Sequence, residues 1–148
     1  MNDDIIILHR KQNNSVILVN ANNIIIIDTC KSNDNYFSTK YFSRIYIKSY
    51  LDDTPCYVDV NETNENIYTK LPSEIKNSFI KLHNAGTNLT IYLNYKNIYI
   101  VDAYTDNSKI FSNIIINDNA ITSFIVNETP EKIYSMIEKQ YKHVLNDK

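Results

Sequence analysis

The side chains that could do chemistry in this chain are few and mostly acidic. Asp52 and Asp53 close the stretch FSRIYIKSYLDDTP, residues 42–55. An apolar strand that ends on two carboxylates is one layout of a metal site, because rigid backbone holds oxygen ligands in place. No histidine stands in that stretch. The three histidines of the chain are His9, His83 and His143, and the two cysteines are Cys30 and Cys56. The cysteines lack metal-binding spacing. There is no G-x-S-x-G, no Gly-rich phosphate loop and no C-x-x-C, so nucleophile-elbow, P-loop and thioredoxin chemistry have no support. Local sequence alone reads Asp52-Asp53 as a polar turn before Pro55. It reads His9 as a surface residue beside Arg10, and His143 as a cation suited to the end of a helix.

Strands must position whatever these residues do. IIILHR (5–10), SVILVN (15–20) and NIIIIDTC (23–30) are Ile/Val-rich runs separated by Asn-rich turns. KSNDNYFSTK reads as a polar loop between NIIIIDTC and the strand FSRIYIKSY, which PCYVDVN follows. IYTKLPSEIKNSF is expected to begin extended and turn helical after Pro72, and residues 73–84 fit helix or strand equally. LTIYLNY, NIYIVDAY, KIFSNIII and ITSFIVN are strands again. The last element is a helix, with Thr129 as N-cap, Pro130 at its first position and Glu131 in its first turn. Ile133, Met136, Ile137, Tyr141, Val144 and Leu145 form its apolar face.

Composition narrows the class. A chain of 148 residues, 43% hydrophobic and 22% charged, is one globular domain. A net charge of −2 with scattered basic residues predicts no nucleic-acid binding. No apolar run reaches membrane-spanning length, and the MNDD start does not read as a signal peptide, so a cytoplasmic protein with reduced thiols is expected. Abundant Asn, Ile and Tyr, with one Gly and no Trp, match the codons of an A/T-rich genome such as that of a large DNA virus, which would place the protein in the host cytoplasm. Asn13, Asn61, Asn88 and Asn127 lie in N-x-[ST] patterns that such a composition generates by chance. Of the twelve tyrosines, Tyr46, Tyr50, Tyr57, Tyr92, Tyr95, Tyr99 and Tyr104 lie on or beside strands, where alternation turns some outward and favours protein contacts.

The chain also resembles itself. NANNIIIIDTC (20–30) matches NYKNIYIVDAY (94–104), KYFSRIYIK (40–48) matches KIFSNIIIN (109–117), and VNETNENIY (60–68) matches VNETPEKIY (126–134). Similar stretches in the same order predict two related β-rich halves, about 1–84 and 85–148, within a single domain 1–148.

These residues resemble the metallo-β-lactamase family. Ile27-Asp28-Thr29-Cys30 is similar to its I-D-T-G strand end, and FSRIYIKSYLDDT to the strand that enters its T-H-x-H-x-D-H metal motif. LHNAGTNLTIYL is similar to its G-H-T-P-G-S entry, and YIVDA to the strand ending in a metal-bridging aspartate. The resemblance implies an α/β (α+β) fold, a shortened β-sandwich of two related halves with outer helices. It places Lys48 at the motif's threonine, Ser49 and Leu51 at its first two histidines, Asp53 at its aspartate and Thr54 at its last histidine. His83 and Gly86 match the later motif, and Asp102 the bridging aspartate. Asp28 and Gly86 take structural roles.

Ser, Leu and Thr cannot replace imidazoles at zinc, so the resemblance implies remnant positions without a metal, without a cofactor and without catalysis. The function expected is that of an inactive structural or protein-binding subunit, with a protein partner or its own copies. Two alternatives stand beside it. One is a metal-dependent hydrolase or phosphodiesterase with a reduced site of Asp53, His83 and Asp102. The other is a small clamp-like β-repeat interaction module, recognisable by one continuous curved sheet through both halves with both helices on one side.

Overall fold

A computed structural model describes residues 4–32, 40–48, 56–117 and 121–146. The described residues form ten strands and three α-helices, a mixed and mostly β architecture. In chain order these are β1 (Ile5–His9), β2 (Val16–Asn20), β3 (Ile24–Ser32), β4 (Lys40–Ile47), β5 (Cys56–Val60), α1 (Asn64–Lys70), α2 (Ser73–Lys76), β6 (Phe79–His83), β7 (Thr90–Asn94), β8 (Ile98–Asp106), β9 (Lys109–Asn117), β10 (Ile121–Val126) and α3 (Pro130–Asn146). Single 3-10 turns, Ala21–Asn23 and Tyr95–Asn97, join β2 to β3 and β7 to β8.

Every strand pair is antiparallel. β1 and β2 form a hairpin, β10-β9-β8 a three-stranded sheet, and β5-β4-β3-β7-β6 a five-stranded sheet. Single bridges, Arg10 to Val60 and Asn84 to Val126, link β1 to β5 and β6 to β10 at their ends. Through these links the strands run β2-β1-β5-β4-β3-β7-β6-β10-β9-β8, and β2 and β8 stand at the two ends.

The same local physics builds both halves. Isoleucine and valine favour a half-buried pleated surface, and asparagine breaks it at little cost. Asn14 and Asn88 hold φ of 56° and 60°, a left-handed conformation that Asn tolerates better than other non-glycine residues. Asn20 and Asn94 each accept a backbone N–H two residues on, closing the two 3-10 turns. Asn107 and Ser108 both hold positive φ, as the two-residue β8–β9 hairpin requires.

Two apolar clusters form the core. The first holds Ile6, Leu8, Val19, Ile45, Val60 and Ile67, and the second Ile80, Leu82, Leu93, Ile114, Val126 and Ile133. These are the same positions of β1, β2, β4, β5 and α1 repeated on β6, β7, β9, β10 and α3. The recurrence starts at Phe79, ahead of the boundary near 84 that the matching stretches give.

Several local expectations change. Residues 67–70, expected to be extended chain, belong to the helix α1, because Thr63 caps it by accepting the Asn66 N–H at 3.2 Å. Residues 73–84 divide into the short helix α2 and the strand β6. On α3, Ile133 is buried and Met136 and Ile137 pack on the second cluster, whereas Tyr141 faces solvent. No helix among the described residues is long and apolar enough to cross a membrane.

Candidate functional site

Ser49, Leu51, Asp53 and Thr54, with Asp52 beside them, lie outside the described residues. The other candidates are placed apart. His83 ends β6 in the five-stranded sheet, opposite Thr90. Asp102 lies within β8 of the three-stranded sheet, opposite Asn113. Neither Asp28 nor Asp102 ends its strand: β3 continues to Ser32 and β8 to Asp106. No group of three or more His, Cys, Asp or Glu side chains among the described residues could hold a metal ion.

His83 meets Glu128. Its backbone N–H donates to Oε1 at 2.9 Å, and its ring Nδ1 lies 2.8 Å from Oε2. His9 meets Glu62 in the same way, at the same two distances. A carboxylate accepts only, so Nδ1 carries the proton in each pair. Both glutamates are largely buried. Burial pushes the Glu62 carboxyl up, but the hydrogen bonds from the His9 ring and backbone outweigh it, and the net direction is down. His9, which sequence alone presents as a lone surface residue, is thus half of a buried-carboxylate pair.

Each glutamate sits in an Asn-Glu-Thr triplet with divided labour. The Asn61 side-chain amide donates to Asn14 Oδ1 at 2.9 Å, and that of Asn127 to Asn88 Oδ1 at 2.7 Å. Thr63 and Thr129 cap the helices that follow, accepting from the Asn66 and Lys132 backbone N–H. The triplet therefore ties the preceding hairpin turn, the strand end and the helix start together. Sequence reasoning missed these glutamates, although V-N-E-T occurs twice at matching places, each time downstream of a strand ending in His.

Gly86 occupies the turn after β6, with its N–H on Asn84 Oδ1 at 2.8 Å. A Cβ there would lie 3.3 Å from that oxygen. Gln12 takes the matching place after β1, so the turn itself does not demand glycine. Asp28 is half-buried on β3, opposite Arg44 and Ile91. Burial pushes its carboxyl above the usual range, against the Thr29 backbone N–H and the Arg44 charge. Arg44 holds Asp59 with two hydrogen bonds, 2.8 and 3.1 Å, and lies over the Tyr57 ring at 4.3 Å. Burial pushes the Cys30 thiol up, and the nearby Asp28 charge adds to that, so this thiol is not an activated nucleophile.

A cleft of about 260 Å³ opens where the two halves meet, lined by residues including Thr29, Ser43, Asn64 and Thr90. Thr29, Asn64 and Thr90 at its wall are engaged in the joint between the halves. Thr29 Oγ1 donates to the Thr90 carbonyl at 2.9 Å, and the buried Asn64 amide donates to the same carbonyl at 2.9 Å and to Thr29 Oγ1. Ser43 donates to the Glu62 carbonyl at 2.7 Å. Its counterpart Ser112 is buried with no hydrogen-bond partner among the described residues. Tyr68 of α1 and Tyr92 of β7 stack with ring centroids 4.5 Å apart.

The surface is apolar in specific places. Val16 and Leu18 on β2, Ile5 and Ile7 on β1, Tyr99, Ile100 and Tyr104 on β8, and Tyr134 on α3 are exposed. Of the strand tyrosines, Tyr57, Tyr99 and Tyr104 face solvent, Tyr46 and Tyr95 are half-buried, Tyr92 is buried, and Tyr50 lies outside the described residues. No family model, curated protein or solved structure matches this chain.

Proposed function

We propose that this protein works by contact, as a structural or protein-binding subunit rather than a hydrolase. The observation that carries the reading is the placement of large apolar side chains, Leu18, Tyr99, Ile100 and Tyr134, in solvent at the two end strands and the helix beside one of them. Exposed aromatic and aliphatic groups clustered at sheet ends are docking features. The polar groups with chemical potential, His9, Glu62, His83, Glu128, Thr29 and Asn64, are engaged in holding the fold.

Two origins fit a contact-acting subunit. One is a shortened metallo-β-lactamase-like sandwich whose imidazole positions have become Ser49, Leu51 and Thr54, with Asp53, His83 and Asp102 as remnants. The other is a tandem β-repeat module. One observation is shared with the second: β3 of the first half pairs with β7 of the second, so the five-stranded sheet takes strands from both. A cytoplasmic setting, in a host cell if the chain is viral, goes with either origin and suits the two separate thiols, Cys30 and Cys56.

Metal analysis of the purified protein, a screen for metal-dependent hydrolysis and affinity capture test the proposal together. We expect no metal-dependent turnover, and a protein ligand (a further copy included) retained by the native chain and released by Leu18→Lys or Tyr99→Lys. Hydrolysis that requires metal and disappears in His83→Ala would overturn it.

A further inference from the structure

Each half of the molecule is one unit of five strands and a helix, and the two units meet at one joint. At that joint β3, an end strand of the first unit, pairs with β7, an end strand of the second, with Ile26 opposite Leu93, Ile27 opposite Tyr92 and Asp28 opposite Ile91. The counterpart of β3 in the second unit is β8, and the counterpart of β7 in the first unit is β2. Among the described strands, β8 pairs only with β9, and β2 only with β1. The molecule therefore carries one joint made and two matching half-joints unmade, one at each end.

The exposed apolar residues identify themselves by this correspondence. Tyr92 reaches from β7 into the first unit's core and is 6% exposed, while its counterpart Leu18 on β2 is 64% exposed. Ile25 reaches from β3 into the second unit's core and is fully buried, while its counterpart Tyr99 on β8 is 68% exposed. Ile26 is buried and its counterpart Ile100 is open. Phe79, at the start of β6, is buried in the first cluster, and its counterpart Ile5 is at the surface. Tyr68 stacks on Tyr92, and its counterpart Tyr134 stands free in solvent. By contrast Ile98 and Val101, counterparts of Ile24 and Ile27, pack into their own unit's core as those residues do. At these positions exposure falls where a neighbouring unit would cover the side chain, whereas Ile7, Tyr41, Tyr57 and Ile110 are exposed without a covered counterpart.

We infer that copies of this chain associate head to tail, with β8 of one copy pairing antiparallel with β2 of the next and reproducing the β3–β7 joint. The register carried over sets Ile100 against Val19, Val101 against Leu18 and Asp102 against Ile17 of the next copy. Backbone hydrogen bonds between unpaired edges supply the pairing. Leu18 enters the space that Tyr92 fills at the internal joint, beside Tyr134. The contact is heterologous, so it propagates into a ring or an open row of copies rather than stopping at a two-fold dimer.

The joint between copies is weaker than the internal one. The Thr29–Asn64–Thr90 clamp has Ala103, Pro130 and Val16 in its place, and Asp102 faces Asn113 where Asp28 faces Arg44. The internal joint also gains from being tethered in one chain. Association between copies is accordingly concentration-dependent.

The inference rests on the contact-acting reading and specifies its partner. Sedimentation analysis of the full chain tests it, with Leu18→Lys and Ile100→Lys as variants at exposed positions and circular dichroism to verify that each folds. The native chain is expected to form species above monomer mass that grow with concentration. Each variant alone is expected to be monomeric, because one half of every joint is blocked. An equimolar mixture is expected to recover a species of two chains and no larger, since only β8 of the Leu18→Lys chain and β2 of the Ile100→Lys chain remain usable. A native chain monomeric at its highest soluble concentration overturns the inference, as does a mixture that stays monomeric. If a different protein is captured through these same strands while the chain stays monomeric, self-association fails and the contact-acting reading stands.

Discussion

At the residue scale, the two histidine–glutamate pairs are the polar anchors of the fold. Glu128 accepts both the backbone N–H and the ring N–H of His83 while nearly fully buried. Removing it strands a buried N–H, and loss of a charge-assisted pair with its desolvated partner costs about 2–3 kcal/mol. Glu128→Ala is expected to lower unfolding stability in urea by about that amount, with the secondary structure retained. The Glu62 carboxyl, held below the usual range by His9, adds a pH dependence of definite sign. A carboxyl whose folded value is depressed contributes its stability fully above the unfolded value of about 4.3. That contribution drains away as pH falls through the lower folded value. The native protein is expected to lose stability over that acid window, and Glu62→Gln to lose less over the same window, by thermal melts at a series of pH values.

At the element scale, the turns are built on asparagine where glycine is nearly absent. Asn88 does two things: it accepts the left-handed φ of 60° and it receives the Asn127 amide at 2.7 Å. Asn88→Ala forfeits both, at about 1 kcal/mol for the conformation and about 1 kcal/mol for the hydrogen bond. Asn88→Gly keeps the conformation and is expected to cost about half as much in a chemical-denaturation comparison. Seeing Asn88 as structural was open to sequence only in part. An A/T-rich codon bias makes most Asn uninformative, and nothing local marks Asn14 and Asn88 as the ones that receive a second Asn from across the fold.

At the scale of the whole molecule, the joint between units decides which apolar residues are core. Tyr92→Ala removes the ring stacked on Tyr68 and opens a cavity, and is expected to cost about 3–5 kcal/mol. Leu18→Ala, at the corresponding place on β2, is expected to change the stability of the dilute protein by no more than about 0.5 kcal/mol, because no unit covers it. Calorimetric melts at low protein concentration check the pair. Equal losses at both positions would mean that β2 is already covered within the chain.

What the sequence determined by itself is what short-range physics encodes. The Ile/Val runs specified strands and the Thr129-Pro130-Glu131 start specified α3. The α1 helix escaped because its seven residues are too short for a clear period, and only the Thr63 cap and packing on β3 and β7 settle it against extended chain. Tertiary structure alone decided that His9 and His83 meet Glu62 and Glu128, that β3 finds β7, and that Tyr92 is core while Leu18 is surface. These are pairings between residues far apart in the chain. Identical local patterns such as the two V-N-E-T runs cannot say which strand edge will be covered, because the residues that distinguish the covered joint, Thr29, Asn64 and Thr90, act only once β3 and β7 have met.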